Sequence, residues 1–204
     1  MSNYDAFDPP ALDGRTRYQL LTSIVVPRPI GWVSTWGEDG TANVAPFSYY
    51  SAVSASPFLV GVSIGHRREG PKDTLANIRT GGVFCTNFVT QDQLEAMNQS
   101  SGDYAPEVDE FEVAGLERRD ADLIDAPFVV GAPVVMECRV YKEVDLGGAP
   151  NTLIIGEAVR IHVDSRIPRV GDTQFLDTTH LNPVARLWGP TYAMLGEQVQ
   201  IPRP

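Results

Sequence analysis

The sequence predicts a mainly β protein organised as an antiparallel barrel. The first observation is a series of six or seven short runs rich in β-branched and aromatic residues, separated by Gly, Pro, Asn and Asp signals. The second is that only two short stretches have helical character, so strands do not alternate with long helices as a parallel α/β sheet requires. The third is size. A chain of 204 residues, 43% hydrophobic and 21% charged, suits one globular domain with terminal extensions and a sizeable core.

Residues 1–17 are polar and proline-containing, which predicts an extended N-terminal arm. A short apolar stretch, 18–26, leads into the rigid turn Pro27-Arg28-Pro29. Residues 30–36 alternate as a strand, Gly37-Glu38-Asp39-Gly40 is a turn, and 42–54 reads as the returning strand of a hairpin. Ser56-Pro57 turns the chain into the apolar strand 58–65. Asp73 is the expected N-cap of a short helix over 74–79, which Gly81-Gly82 ends. Residues 83–89 form the next strand. Thr90-Gln91-Asp92-Gln93 has capping-box form and opens a helix with Leu94 and Met97 on one face. The acidic stretch 100–125 reads as a long excursion with one short strand at most. Two long strands, 133–144 and 151–163, are joined at Gly147-Gly148, and from Pro168 a Pro/Gly-rich tail wraps the surface. The domain body is therefore expected over 18–165, with a wrapping tail over 166–204. No internal repeat or low-complexity segment is visible.

Composition narrows the function. A net charge of −10 argues against a nucleic-acid surface and against anionic membranes. The start lacks a basic n-region and an apolar h-region, and no apolar run approaches the ~20 residues of a membrane span, so the expected compartment is the cytoplasm. Cys85 and Cys138 lie in apolar, strand-like surroundings and read as buried free thiols. His66, His162 and His180 lack the spacing of zinc ligands, so no metal is expected. Gly61-Val62-Ser63-Ile64-Gly65 is not a dinucleotide fingerprint, and neither a P-loop nor a Gly-x-Ser-x-Gly elbow occurs.

Against this acidic background one loop stands out: His66, Arg67, Arg68 and Lys72 cluster just before a short helix. The second informative stretch is 43–51, where β-formers and hydroxyls surround Pro46, a residue that cannot donate to a sheet ladder. Together they read as a cradle, with a sheet edge for a planar ring and a cationic loop for a phosphate. With Asp73 capping its own helix, the phosphate falls to Lys72, the Thr74 hydroxyl and a loop arginine, with Ser48, Ser51, Ser54 and Ser63 as nearby hydroxyls.

At these residues the chain resembles the flavin reductase-like family of FMN-binding split barrels, which includes flavoredoxins and reductase components of two-component monooxygenases. The resemblance runs from Pro27-Arg28-Pro29-Ile30-Gly31-Trp32-Val33-Ser34-Thr35 through Asn43-Val44-Ala45-Pro46-Phe47-Ser48 and Lys72-Asp73-Thr74 with Asn77-Ile78. It resumes at Ile155-Gly156-Glu157 and Pro183-Val184-Ala185-Arg186-Leu187, spanning about 17–192. It implies an antiparallel Greek-key split barrel with short flanking helices, a homodimer, and FMN at the subunit interface. The implied cofactor-binding set is Arg28, Ser34, Asn43, Val44, Ala45, Ser48, Tyr49, Ser51, Ser63, Arg67, Lys72, Asp73, Thr74 and Arg186. The strand resembling 43–51 would line the flavin ring, and 63–74 would hold the phosphate. The implied activity is hydride transfer from NAD(P)H to flavin, with reduced flavin passing to a monooxygenase. An electron-transfer flavoprotein and a non-enzymatic FMN-binding protein are the alternatives. No acid–base residue is nominated.

Two departures stand out. In Arg186-Leu187-Trp188-Gly189-Pro190-Thr191-Tyr192, Trp188 replaces the first glycine of the Arg-x-Gly-Gly-x-x-Tyr motif common among relatives. Asn151-Thr152 stands where many flavin reductases have a histidine, which leaves His180 as the histidine that the tail can bring to the site.

Overall fold

The computed structural model describes residues 3–68 and 70–202. Its elements in chain order are α1 (Gly14–Ile24), β1 (Arg28–Pro29), β2 (Gly31–Trp36), β3 (Ala42–Phe47), β4 (Tyr50–Ala55), β5 (Phe58–Arg67), β6 (Gly70–Pro71), α2 (Asp73–Gly81), β7 (Val83–Asn87), α3 (Leu94–Gln99), α4 (Glu110–Val113), β8 (Arg118–Asp120), β9 (Pro127–Val129), β10 (Val134–Asp145), β11 (Asn151–Val163), α5 (Thr178–Leu181), β12 (Val184–Arg186) and β13 (Tyr192–Met194). Among the described residues, no helix is long and apolar enough to cross a membrane.

The main sheet is antiparallel throughout, in the order β3-β2-β7-β10-β11-β5-β4, with β6 paired to the end of β5. Its two edges, β3 and β4, are consecutive in the chain and joined only by Ser48 and Tyr49. Three Cα steps reach at most about 11 Å, so the two edges must lie side by side. The sheet is rolled into a barrel with a split between β3 and β4. Tyr50 sits at that split, where a Cβ on Gly31 of β2 would come within 2.6 Å of its ring. A glycine at 31 lets the aromatic ring close the gap.

The hairpins β2–β3 and β10–β11 form as the sequence predicts, with Trp36 opposite Ala42 and the second turn made by Gly147 and Gly148, both at positive φ. The expected single strand 42–54 is instead two, broken at Ser48–Tyr49. Each half pairs with a different neighbour, so one continuous strand cannot satisfy both ladders. Of the expected extended arm 1–17, residues 1–2 lie outside the described residues and the end of the arm is corrected, because α1 begins at Gly14. Asp13 accepts the amides of Arg15 (2.9 Å) and Thr16 (3.0 Å), a local cap that starts the helix. Thr22 is the only residue of α1 that is fully buried, so little apolar periodicity advertises the helix.

Three apolar clusters follow from the two faces of the sheet. Val33, Phe47, Val62, Ile64, Phe84 and Ile154 fill the barrel, and α2 contributes Leu75 and Ile78 to it. Trp32, Val44, Met97 and Phe111 pack α3 and α4 onto the outer face of β2 and β3. Cys85, Ile124, Phe128 and Val135 form the third cluster. Cys85 and Cys138 are buried free thiols, as expected. The tail adds β12 and β13 to β1 in a separate three-stranded sheet, with Arg186 directly opposite Arg28.

Candidate functional site

β3 is a sheet edge with a usable outer side. The amide of Val44 points away from β2 and donates to Glu110 Oε2 (3.4 Å). Antiparallel alternation puts Pro46, two residues on, in the same outward class, where a missing N–H breaks no ladder bond. A cavity of about 310 Å³ opens beside this edge, lined by Asn43, Ala45, Pro46, Arg67, Lys72, Asp73, Thr74, residues 100–103 and Glu110. A second, of about 320 Å³, is lined by Tyr18, Thr22, Arg28, Ile30, Pro46, Ser48, Tyr49, Lys72, Met97, Ser101, Arg186 and Tyr192. Because both share Pro46, Lys72 and Ser101, they are two halves of one groove along the split.

The first turn of α2 forms part of the wall. Its N-cap is Lys72, with no side-chain cap bond, which corrects the expectation that Asp73 caps it. Asp73 lies one residue inside the helix, and its carboxylate pairs with Arg67 (2.8 Å) instead. Arg67 also reaches Asp103 (3.0 Å) and the carbonyl of Tyr104 (3.0 Å), so two carboxylates offset its charge. Lys72 has no ion pair among the described residues, and its Nζ lies 5.8 Å from the centre of the Phe47 ring. The helix end therefore has no side-chain cap, and the adjacent cation has no carboxylate partner among the described residues, a combination suited to an anion.

The Thr74 hydroxyl, expected to meet a phosphate, instead donates to Asn43 Oδ1 (2.7 Å) and is buried. Asn43 Oδ1 also accepts from Thr35 (3.3 Å), while Asn43 Nδ2 donates to Glu110 Oε1 (2.9 Å). Glu110 is only 5% exposed. Burial pushes its carboxyl up to about 7, against the pull of its own, the Val44 and the Asn43 hydrogen bonds, and the Asp73 charge adds to the rise.

Among the described residues that line the other half of the groove there is no carboxylate, but there are three cations. Arg28 is buried and donates to the carbonyls of Thr22 (2.8 Å), Val25 (2.6 Å) and Leu187 (2.5 Å), clamping the end of α1 to the tail. Arg186 donates to Tyr192 Oη and to the carbonyl of Gly189, and the Tyr192 hydroxyl reaches Asn98 (3.1 Å). Burial raises the Tyr49 hydroxyl, with Tyr18 adding and Arg28 opposing.

Of the sequence-predicted residues, Arg28, Asn43, Ala45, Ser48, Tyr49, Arg67, Lys72, Asp73, Thr74 and Arg186 line the groove. Four do not. Ser34 is fully buried, donating to the Pro127 carbonyl (2.6 Å) and accepting from Asn87 (3.0 Å). The Val44 side chain belongs to the outer core, so only its backbone faces the groove edge. Ser51 is exposed on β4 and lines an adjoining apolar pocket that shares Arg28, Ser48 and Tyr49 with the groove. Ser63 alternates with the core residues Val62 and Ile64 and so points off the barrel, its amide donating to Tyr49 O (2.8 Å). His180 pairs with Asp177 (3.0 Å) on α5, and neither it nor Trp188 lines the groove. Sequence reasoning missed Glu110, Tyr18, Thr22 and Tyr192. A lone glutamate after a cap has no diagnostic spacing, whereas Tyr192 carried a signal as the last residue of the tail motif.

With this geometry in view, the comparisons place the chain. Residues 23–173 match the flavin reductase like domain, and the chain belongs to that flavin-binding family. It is similar to nitrilotriacetate monooxygenase component B from Bacillus cereus, with 31% identity, a TM-score of 0.93, and coverage of 98% of this chain and 100% of that one. It is also similar to the 2-nitrobenzoate 2-nitroreductase of Pseudomonas fluorescens, with 28% identity, a TM-score of 0.84, and coverage of 98% and 96%. An uncharacterized protein of Halalkalibacterium halodurans is 35% identical over 202 residues, covering 97% of this chain and 95% of its own. The fold is the split barrel that the resemblance implied.

Proposed function

We propose that this chain is an FMN-dependent oxidoreductase that moves hydride from NAD(P)H to flavin and passes the reduced flavin to a partner such as a monooxygenase. The observation that carries the reading is the groove itself, with a sheet edge that no further strand covers on one side and, at an uncapped helix end on the other, Lys72, which has no ion pair among the described residues. FMN, when bound, supplies the two-electron acceptor. Lys72 and the first amides of α2 would hold its phosphate, and the outward backbone of β3 would meet the polar edge of its ring. Arg28 and Arg186 give the other half a positive field suited to an anionic nicotinamide dinucleotide or an acidic acceptor. The names of the Bacillus cereus and Pseudomonas fluorescens relatives support a monooxygenase partner and reductive chemistry respectively.

A homodimer is part of this reading. Tyr18, Leu21 and Ile24 on α1, Val25 just after it, and Val53 and Phe58 around β4 are large apolar side chains left exposed. The two unpaired thiols support the expected cytoplasmic placement. The test is anaerobic titration of the purified protein with FMN, then NADH or NADPH. Flavin binding and bleaching on reduction are expected, as is a light-scattering mass twice the 22.3 kDa of one chain. Absence of FMN binding at micromolar concentration overturns the reading. Binding without NAD(P)H oxidation leaves an electron-transfer flavoprotein in its place.

A further inference from the structure

We infer that Glu110 makes anion binding in this groove proton-linked: docking of a phosphate beside Lys72 draws a proton onto the Glu110 carboxyl. The inference rests on the reading that the groove holds the FMN phosphate, and it adds a role for a residue outside the expected cradle.

The geometry isolates this carboxyl. Glu110 opens the short helix α4, lies 5% exposed against β3, and forms part of the same cavity wall as Lys72 and Thr74. Its two contacts outside its own residue are the neutral donors Asn43 Nδ2 (2.9 Å) and the Val44 amide (3.4 Å). No charged side chain among the described residues bonds to it. On α2, Asp73 faces it but is paired with Arg67, and Lys72 points along the groove over Phe47. In the 100–103 loop, Asp103 is paired with Arg67 as well. On α4 itself, Asp109 caps the helix and pairs with Arg118 (2.5 Å), while Glu112 is exposed. β3 brings no titratable side chain. Among the described residues Glu110 is thus a carboxyl with no cation bonded to it, one Asn43 side chain away from the Thr74 hydroxyl at the start of α2.

A second negative charge placed in such a cavity disfavours an ionised carboxylate. By linkage, an anion that raises proton affinity is itself bound more tightly when the proton is present. The carboxyl already titrates near neutrality, so the linkage falls in an accessible range. The phosphate's second ionisation, near pH 6, is complete above about pH 7 and runs in the opposite sense, so the window is pH 7 to 9.

The experiment titrates wild type and Glu110→Gln with FMN and with riboflavin at several pH values from 7 to 9. Calorimetry in buffers of different ionisation heat counts the protons taken up. For wild type, FMN affinity should fall about tenfold across the window, with proton uptake on binding near pH 7.5. Glu110→Gln should show a flat FMN profile with no uptake, and riboflavin should show neither effect in either protein. A slope for FMN that persists in Glu110→Gln, or no proton uptake by wild type, overturns the role of Glu110. The uptake measurement on wild type decides even if the variant folds poorly. Equal binding of FMN and riboflavin under all conditions instead overturns the phosphate reading on which the inference stands.

Discussion

Glu110 and Glu137 are both buried carboxylates, at 5% and 0% exposure, yet the protein treats them oppositely. Glu137, on β10, accepts the amides of Asp122 (2.9 Å) and Leu123 (2.8 Å) and a hydrogen bond from His162 Nε2 (2.6 Å). Burial pushes its carboxyl up, but the His162 bond and the two amides outweigh this and hold it below the usual range. Asp122 next to it binds Arg119 (2.7 Å) and Arg160 (2.9 Å). Although Asp122, Glu137 and His162 are close enough to suggest a metal site, their atoms are already engaged with amides and arginines. The trio is a lock that ties the 119–123 segment to the β10–β11 hairpin. Glu110 has no such set of partners and sits in a cavity wall. The difference teaches that burial alone marks neither structure nor function, and that what a buried charge faces decides between them.

The largest expected effect tests the lock. Glu137→Ala leaves an imidazole and two amides without their acceptor, and breaking a buried pair in this way costs about 3–5 kcal/mol. Urea unfolding at neutral pH reads it directly. Glu110→Gln, which retains a carbonyl for Asn43 or Val44, should cost far less at the same pH. Equal losses for the two variants would break the contrast.

The next effect separates the two carboxyls by sign. Glu110 in the folded chain titrates near 7, above the free-chain value. The folded state therefore holds more protons than the unfolded one between about pH 4.5 and 7. Its contribution is fully present below that window and is lost as pH rises through it, by up to about 3 kcal/mol. Glu137 is depressed, so its contribution is present above the free-chain value and is lost as pH falls through the folded one. Unfolding at pH 5, 6.5 and 8 should show Glu110→Gln gaining on wild type as pH rises. A constant difference across that range would mean that Glu110 is as well partnered as Glu137.

Local signals explain which parts of this arrangement the sequence revealed. The hairpins β2–β3 and β10–β11 were legible because period-two alternation meets a Gly-rich turn at Gly37–Gly40 and Gly147–Gly148. Lys72 was legible because a cationic loop is conspicuous in an acidic chain. The break at Ser48–Tyr49 was not, since no Gly or Asn marks it, and it follows from two ladders competing for one segment. The Asp73 cap failed because a carboxylate at that position can choose between local amides and Arg67, and the ion pair won. Glu110 was invisible because its partner, Asn43, is 67 residues away.

A middle-sized effect concerns the cation opposite Glu110 in the groove. Lys72→Ala should weaken FMN binding about tenfold to a hundredfold, the equivalent of ~1.5–3 kcal/mol for a charge-assisted bond, while riboflavin binding stays nearly constant. The remaining FMN affinity should also depend less on salt. Parallel losses for both flavins in a fluorescence titration would assign Lys72 to packing over Phe47 rather than to a phosphate.

The smallest effect asks whether the Thr74 hydroxyl serves the network under Glu110 or the ligand itself. Its proton is directed at Asn43 Oδ1, which keeps the Thr35 donor when Thr74 is replaced. Thr74→Val preserves shape, removes one of two donors to that oxygen, and should cost about 1 kcal/mol of stability. The FMN-to-riboflavin preference should change less than about twofold, because RT ln 2 is well below the value of a lost charge-assisted bond. The carboxyl of Glu110 should feel the change more, since Asn43 loses the bond that holds it in register with α2. A shifted midpoint in the pH profile of FMN binding, with the preference intact, places Thr74 in the supporting network. A tenfold loss confined to FMN would instead place its hydroxyl on the phosphate and turn the bond to Asn43 into a resting arrangement that the ligand displaces.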